Sequence, residues 1–433
     1  MDRDGLQVGF GEVEITPPTG LYMCGGLQPR TNVGTDDPLM AKALVARAGG
    51  KAIAIVGVDL IGLPRQFVDR AIQQAVASTG LEAEAIMVAC SHTHSGPYTQ
   101  EGLYSFGVTN AEYLDTLPGA IASSIEAAWR ALRPARMHIG RSLVYHLLHH
   151  RRVVTKDGKA VNTWMSDQLN DLERCPQIVG TAGPIDPELW VLRFDGADGK
   201  PFGALVNFSL HVNTHFGTAW SADYPGVMAA NFRHVYGAHF STVFTPGACA
   251  NINTTMGGIP QWREAAEYIA QQALRAAKTA RPVSEPVAVG GVRRDLPVPR
   301  RDPATQPPEA IARLDWGGGR SWPEVFEPML EHIGSLPERL VVPINAVRLG
   351  PFGLASNPGE LFVEHGLTIK RRSPFPHTAV AELTNDIILY QPTREAFEQQ
   401  GYETLVGANR VSMEGIEMIV NTAVELLNAL WAA

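Results

Sequence analysis

An apolar strand that ends in two histidines is the feature that most constrains the fold of this chain. Residues 85–90 form an apolar run with the length and content of a buried strand. Residues 91–97 (Ser-His-Thr-His-Ser-Gly-Pro) follow directly and place His92 and His94 one residue apart. In open α/β sheets, ligands bind at this carboxyl edge. The segment therefore predicts either a metal site, for which neutral imidazole is a common ligand, or a polar loop with two surface histidines.

Segments with strand and helix patterns alternate along the chain, but hairpins lie among them. Residues 41–48 and 52–60 are apolar runs joined by Gly-Gly-Lys, and residues 65–78, 261–280 and 410–431 have helical periodicity. Hairpins argue against a purely parallel sheet. We expect a mixed α/β fold with α+β character, in which helices flank mixed β-sheets and the active site lies in loops at strand ends. Residues 145–156, with three histidines and two arginines, are interpreted as a solvated basic loop.

Length and composition indicate a globular protein with a large core. The 433 residues allow two or three units of ordinary size or one large domain, and 45% of them are hydrophobic. We expect a single catalytic domain over residues 1–433, with the Pro- and charge-rich residues 300–308 as a candidate internal linker. The net charge of −8 is spread without long runs, which argues against binding to nucleic acid or an anionic membrane.

The cysteine content and the N-terminal sequence give information on the cellular compartment of the protein. Four scattered cysteines are too few for a disulfide framework or a cysteine-rich zinc site, so reduced thiols are expected. The first residues show no secretory signal, and no apolar run approaches the roughly 18 residues of a membrane span. We therefore expect a cytoplasmic enzyme with a small-molecule substrate, and leave open whether it forms a homo-oligomer.

Further potential metal ligands follow other predicted strands. These are His211 with His215, Glu360 after a Pro-Gly turn, and Tyr390. Two histidines and one carboxylate form the ligand set of many hydrolytic zinc sites, with a position left open for water. Composition alone cannot select these residues from 13 histidines and 44 acidic residues.

Six segments together supply a more specific signal, the most distinctive being the histidine-containing residues 91–97. The others are residues 9–17, 207–211, 221–226, 358–362 and 385–403. In order and spacing they resemble the N-terminal catalytic domain of the neutral (non-lysosomal) ceramidase family. That family hydrolyses the amide bond of N-acyl sphingosine with a single zinc ion.

The resemblance implies a role for each matching residue. His92, His211, Glu360 and Tyr390 match the zinc ligands, one Zn2+ per chain. A weakly held phenol at Tyr390 would suit a site that expands its coordination in the transition state. With these four completing the coordination, His94 is assigned to the reacting carbonyl or the leaving group.

Three catalytic groups are expected beside the metal, namely His94, Tyr402 and Arg141. Tyr402 lies at the family's spacing after Tyr390, and Arg141 matches an arginine that faces the substrate carbonyl, with Arg151 and Arg152 as close competitors. Such donors stabilise a tetrahedral oxyanion. Either His94 or Tyr402 would also pass a proton to the leaving group.

Two departures from the family pattern affect the predicted chemistry. Gly247 stands where ceramidases carry a serine once considered as nucleophile, so metal-activated water is the consistent nucleophile. Cys249, two residues later, is interpreted as a small buried residue rather than a replacement nucleophile. A second, structural metal near Asp59 or Asp223 is left open.

The second departure is length. Ceramidases continue into an immunoglobulin-like sandwich, which this sequence does not contain. We therefore expect an amidase acting on a small soluble substrate. The alternatives are an esterase or lactonase with the same metal-water mechanism, or a non-catalytic metal-binding relative.

Overall fold

A nine-stranded mixed sheet forms the centre of the fold in the computed structural model, which describes residues 5–26, 29–100, 110–163, 178–255, 261–306 and 322–433. Its strands are β1 (Gln7–Glu14), β2 (Met40–Ala48), β3 (Lys51–Val58), β4 (Ile86–Cys90), β5 (Arg133–Leu143), β6 (Glu188–Gly196), β7 (Pro201–Phe208), β8 (Ser241–Pro246) and β9 (Arg281–Pro282). The order is β8-β7-β6-β5-β1-β2-β3-β4, with β9 beside β5. The pairs β3–β4 and β7–β8 are parallel, and the other pairs are antiparallel.

This sheet folds back on itself. Gly57 in β3 lies so close to β8 that a Cβ atom there would be 2.4 Å from the carbonyl oxygen of Phe244, a contact that only glycine permits. The space between the two halves is filled by apolar side chains from both, among them Leu44, Met87 and Phe194. The edges of the sheet are therefore brought together, and the ends of β4 and β7 become neighbours.

A second sheet of four strands closes this core. Its strands are β10 (Val289–Pro299), β11 (Arg339–Leu349), β12 (Phe352–Ser356) and β13 (His377–Ala381), in that order. The β12–β13 pair is parallel and the other two pairs are antiparallel. Val347 and Leu354 extend from it into the core of the large sheet.

Helices cover the outer faces of both sheets. They are α1 (Arg65–Thr79), α2 (Ala111–Arg130), α3 (Asp223–Tyr236), α4 (Trp262–Lys278), α5 (Trp322–Ser335), α6 (Val363–Arg372), α7 (Arg394–Gln399) and α8 (Met413–Ala432). The pairs α1–α2 and α3–α4 pack on the two halves of the large sheet, and α8 packs on the second sheet. In α4 the buried positions Ala266, Ile269, Ala270 and Ala273 recur at the helical spacing seen in the sequence. The predicted class, mixed α/β with flanking helices, is confirmed.

Short strands occupy the ends of these sheets. Their pairs are Tyr22–Met23 with Arg30–Thr31, Gly34–Thr35 with Ala219–Trp220, Leu148–His150 with Ile252–Thr254, Arg152–Thr155 with both Ala160–Asn162 and Ile178–Thr181, and Glu360–Leu361 with Tyr390–Gln391. The interpretation of residues 145–156 as a solvated basic loop is therefore wrong. Arg151 and Arg152 are buried there because Glu403 pairs with both of them.

Several other expectations concern regions the structure describes only in part. Cys24, Cys90 and Cys249 are free and buried, whereas Cys175 lies outside the described residues. Of the candidate linker, residues 307 and 308 also lie outside them, and the single-domain organisation stays a prediction. No helix within the described ranges has both the length and the apolar character needed to cross a membrane.

Candidate active site

The predicted metal ligands come together where three parallel strand pairs end. His92 follows β4, His211 follows β7 and Glu360 follows β12. Nε2 of His92 lies 3.0 Å from Nε2 of His211 and 3.4 Å from Oε2 of Glu360. Nε2 of His94 is 3.4 Å from the same His92 atom. The site therefore lies in loops at strand ends, as predicted.

Backbone carbonyls fix the orientation of all three imidazoles. The acceptors are the oxygens of Ile61, Gly25 and Cys249, at 2.8, 3.0 and 3.1 Å from Nδ1 of His92, His94 and His211, respectively. Because a carbonyl oxygen can only accept, each Nδ1 carries a hydrogen, and in the neutral ring Nε2 presents its lone pair. Burial lowers the pKa of both His94 and His211 well below the usual range, which favours that neutral form, whereas at His92 the Glu360 carboxylate outweighs burial and raises the pKa.

When all three rings are neutral, their Nε2 lone pairs face one another, an arrangement that a cation between them would stabilise. Two nitrogens 3.0 Å apart that are both acceptors repel each other, whereas a metal ion would turn them into ligands. The ligand atoms of His92, His94 and His211 all lie within 4.8 Å of one another, the one such group of three or more found among the described residues. The arrangement therefore fits a metal that prefers nitrogen ligands.

Glu360 and Tyr390 reach the site side by side. They are direct partners in the two-residue parallel pairing of Glu360–Leu361 with Tyr390–Gln391. Glu360 is 5% exposed, and its Oε2 atom makes no hydrogen bond to any described residue. A buried carboxylate oxygen without a hydrogen-bond donor is costly, so this atom also fits a cation ligand.

The backbone at the first histidine is strained. His92 has a φ angle of 72°, in the left-handed region that non-glycine residues seldom adopt. Its N–H donates to the carbonyl of Leu60 at 2.9 Å, and the N–H of His94 donates to Val212 at 3.0 Å. These bonds hold the turn in a conformation that aims both rings at His211, the kind of strain that clusters at functional sites.

An arginine pair completes one wall of the site. Arg151 donates from Nε to Oε1 of Glu403 at 2.9 Å, and Arg152 donates to Oε2 at 2.7 Å. Burial alone would raise the pKa of Glu403, but the two guanidinium charges outweigh it and lower this pKa to about 2. Glu403 therefore stays ionised and fixes Arg151 in place.

The free side of Arg151 faces the candidate ligands. Its Cζ atom lies 5.3 Å from the ring centroid of Tyr390, and Nη1 is 3.5 Å from Nε2 of His211. Nη2 is buried and has no hydrogen-bond partner among the described residues. The ring of Tyr402 is buried beside that of Tyr390, with centroids 5.4 Å apart. The structure thus places Tyr402 next to Tyr390, and its catalytic role stays a prediction.

Arg141, in contrast, is not brought to the site. It projects from β5 with 48% of its side chain exposed, where it donates to Glu188 at 2.5 Å and lies over the ring of Trp190. Its guanidinium is held by Glu188 and Trp190 of the neighbouring strand β6, on the exposed surface of the sheet. The arginine beside the cluster is Arg151, which the sequence left as a competitor.

His215 also turns away from the three imidazoles. Its Nε2 donates to Asp36 at 2.8 Å and its Nδ1 lies 2.7 Å from Oγ of Ser95. Asp223 accepts the backbone N–H of His215 at 2.8 Å, while Asp59 accepts that of Met40 at 3.0 Å. Both carboxylates thus have structural hydrogen bonds.

The two residues that depart from the family pattern are enclosed. A Cβ atom at Gly247 would lie 2.2 Å from Oγ of Ser209, so no side chain fits there. Cys249 is 0% exposed, as predicted, and its Sγ atom lies 3.0 Å from Oε1 of Glu382. Burial raises the pKa of this thiol well above its ordinary value, a state opposite to that of a reactive thiolate.

Sequence reasoning assigned no role to Glu382 or Glu403. Glu403 lies in the 385–403 segment, directly after Tyr402, but its partners are about 250 residues away in the sequence. Glu382 is likewise 133 residues from Cys249. The sequence signal for Glu382 is an acidic residue directly after the apolar residues 379–381. Such a pattern does not show which residue the carboxylate contacts.

Comparison with known proteins is consistent with this geometry. No family model matches the chain. A 215-residue stretch, 47% of the chain, is 27% identical to neutral ceramidase of Pseudomonas aeruginosa, and the match covers 29% of that relative's length.

Solved structures match over nearly the whole chain. The crystal structure of neutral ceramidase from Pseudomonas aeruginosa has a TM-score of 0.75 at 21% identity, over 99% of this chain and 75% of that one. A structure of a ceramidase complexed with C2 has a TM-score of 0.76 at 20% identity, with the same coverage. These structures establish that the chain has the fold of neutral ceramidase, and the sequence match over 47% of the chain supports the resemblance to that family.

Proposed function

We propose that this protein is a metal-dependent hydrolase that cleaves an amide C–N bond. The observation that carries the proposal is the convergence of three imidazole Nε2 atoms beside a buried carboxylate oxygen without a hydrogen-bond partner. The similarity to neutral ceramidase supports the choice of an amide over other carbonyl compounds.

The proposed ligands are His92, His211, Glu360 and Tyr390, holding one zinc ion per chain. Nitrogen and oxygen donors in this combination suit zinc, and the carbonyl-bonded Nδ1 atoms supply the outer hydrogen bonds that orient histidine ligands. When bound, such an ion polarises a carbonyl group and makes water a usable nucleophile near neutral pH.

His94 is proposed to act on the reacting groups rather than to bind the metal. It is the least buried of the three histidines, and so the one nearest to solvent and incoming substrate. Its Nδ1 donates to Gly25, so Nε2 is free to accept a proton and later to pass it to the departing nitrogen. The three-histidine group is the alternative ligand set.

Arg151 and Tyr402 are proposed to stabilise negative charge on the substrate carbonyl oxygen. The buried Nη2 of Arg151 supplies an unused N–H donor, and Glu403 holds the guanidinium so that little reorganisation is needed. Donors preorganised in this way account for a large share of catalysis in acyl transfer. Arg151 thereby takes the role that the sequence gave to Arg141.

The substrate class is an N-acyl amide. The relative is a neutral ceramidase, but the match covers only 29% of its length. Its substrate is therefore not carried over to this chain, and the test varies the length of the acyl chain. We propose to assay N-acyl amides of short and long acyl chain beside the matched esters and lactones, with metal content measured on the same samples.

Turnover of at least one amide is expected, with loss after chelation and recovery on addition of zinc. Turnover of esters or lactones alone would favour the alternative chemistry on the same site. Metal-loaded protein that turns over no member of the panel would contradict the proposal and indicate a non-catalytic relative.

A further inference from the structure

A fully buried carboxylate, Glu382, lies directly behind the candidate ligands. It follows β13, is 0% exposed, and touches two different loops of the site. Its Oε2 atom accepts the N–H of Leu361 at 2.8 Å and that of Cys249 at 3.2 Å, while Oε1 contacts Sγ of Cys249 at 3.0 Å. One side chain therefore joins two segments that are more than 100 residues apart.

The first of these segments orients His211. The carbonyl oxygen of Cys249 receives the Nδ1–H of His211 at 3.1 Å. The peptide N–H of Cys249 and its thiol are both held by Glu382. A shift of Cys249 would thus move the acceptor that sets the direction of the His211 ring.

The second segment carries Glu360 and, through strand pairing, Tyr390. Leu361, held by Glu382, is the residue next to Glu360 in the two-residue strand. That strand pairs in parallel with Tyr390–Gln391, so its position also determines where Tyr390 lies. Both segments are thus fixed relative to each other by the same carboxyl group.

We infer that Glu382 is a positioning residue, which clamps the His211 loop to the Glu360 strand and so sets the geometry of the metal site. The inference rests on the proposed function, and it assigns Glu382 no contact with metal or substrate. Partners behind the ligands commonly change metal affinity by 10- to 100-fold when they are removed. The essential property is an oxygen acceptor at the right distance, which glutamine retains and alanine lacks.

The experiment compares zinc affinity in Glu382→Gln, Glu382→Asp and Glu382→Ala by competition with a chelator. We expect alanine to weaken zinc binding about 10- to 100-fold, aspartate to weaken it less, and glutamine to remain close to wild type. The absorption spectrum of the cobalt-substituted protein reports ligand geometry, and should change with alanine and aspartate but not with glutamine.

Asp195→Asn is the matched control, because Asp195 is a buried carboxylate on β6 that pairs with Arg193 away from the site. Its zinc affinity should equal that of wild type. If Glu382→Ala fails to fold, the zinc affinity and cobalt spectrum of Glu382→Asp test the inference instead. Unchanged zinc affinity and cobalt spectrum in a folded alanine or aspartate variant would overturn the inference, whereas wild-type protein without zinc affinity would instead refute the proposed function.

Discussion

Replacing His92 with alanine is expected to remove the bound metal and to lower kcat/KM for the best amide substrate by about 1,000-fold or more. A metal ion acting on a carbonyl contributes several kcal/mol, and about 1.4 kcal/mol corresponds to a factor of ten in rate. His92 is the ligand to remove because its Nε2 lies within 3.4 Å of Nε2 of His211, Nε2 of His94 and Oε2 of Glu360. Metal analysis and steady-state kinetics on the same preparation measure both effects.

His138→Ala is the control for this variant. His138 lies on β5, with Nδ1 3.6 Å from Oδ2 of Asp195, and belongs to none of the site's loops. Metal content and kcat/KM should remain at the wild-type level in this control. A His92→Ala variant that keeps full metal content and turnover would show that the site assignment is wrong.

Changing Arg151 to lysine should lower kcat about 100-fold, at the lower end of the loss seen when one oxyanion donor is removed. Lysine keeps the positive charge beside Glu403 but has no second branch with which to reach the carbonyl oxygen. Arg141→Lys is the matched control, since Arg141 is half-exposed and paired with Glu188, and it should leave kcat unchanged.

The kinetic effect must be separated from a loss of folding. Arg151 and Glu403 are buried partners, so the melting temperature of Arg151→Lys is measured together with the kinetics. A folded variant with a large drop in kcat and metal content equal to wild type supports the donor role. A large loss of activity in Arg141→Lys with none in Arg151→Lys would restore the sequence-based assignment.

Local patterns predicted much of the fold. The strand before His92 and the mixed hairpin-and-helix order were readable because apolar periodicity reports burial within a single segment. The four proposed ligands came from the resemblance, because each lies in a segment that matches the family pattern. The four ligands lie close together because the large sheet folds back on itself. The periodicity of single strands does not predict that arrangement.

The placement of the arginines was unpredictable for a related reason. Sequence places Arg141 and Arg151 ten residues apart in a basic stretch, and charge alone cannot tell which one is buried. Arg151 and Arg152 are buried because both pair with Glu403, some 250 residues away in the sequence. This ion pairing compensates for the loss of hydration of the two guanidinium groups. The pairing of Glu360 with Tyr390 and the bridge by Glu382 are equally long-range contacts.

The division of labour between His92 and His94 is the central claim, and the metal content of His94→Ala tests it most directly. We predict about one zinc per chain in the wild-type protein and in His94→Ala, and almost none in His92→Ala, while both variants lose activity. Loss of metal from His94→Ala to the same extent as from His92→Ala would contradict this division and make the three histidines the ligand set.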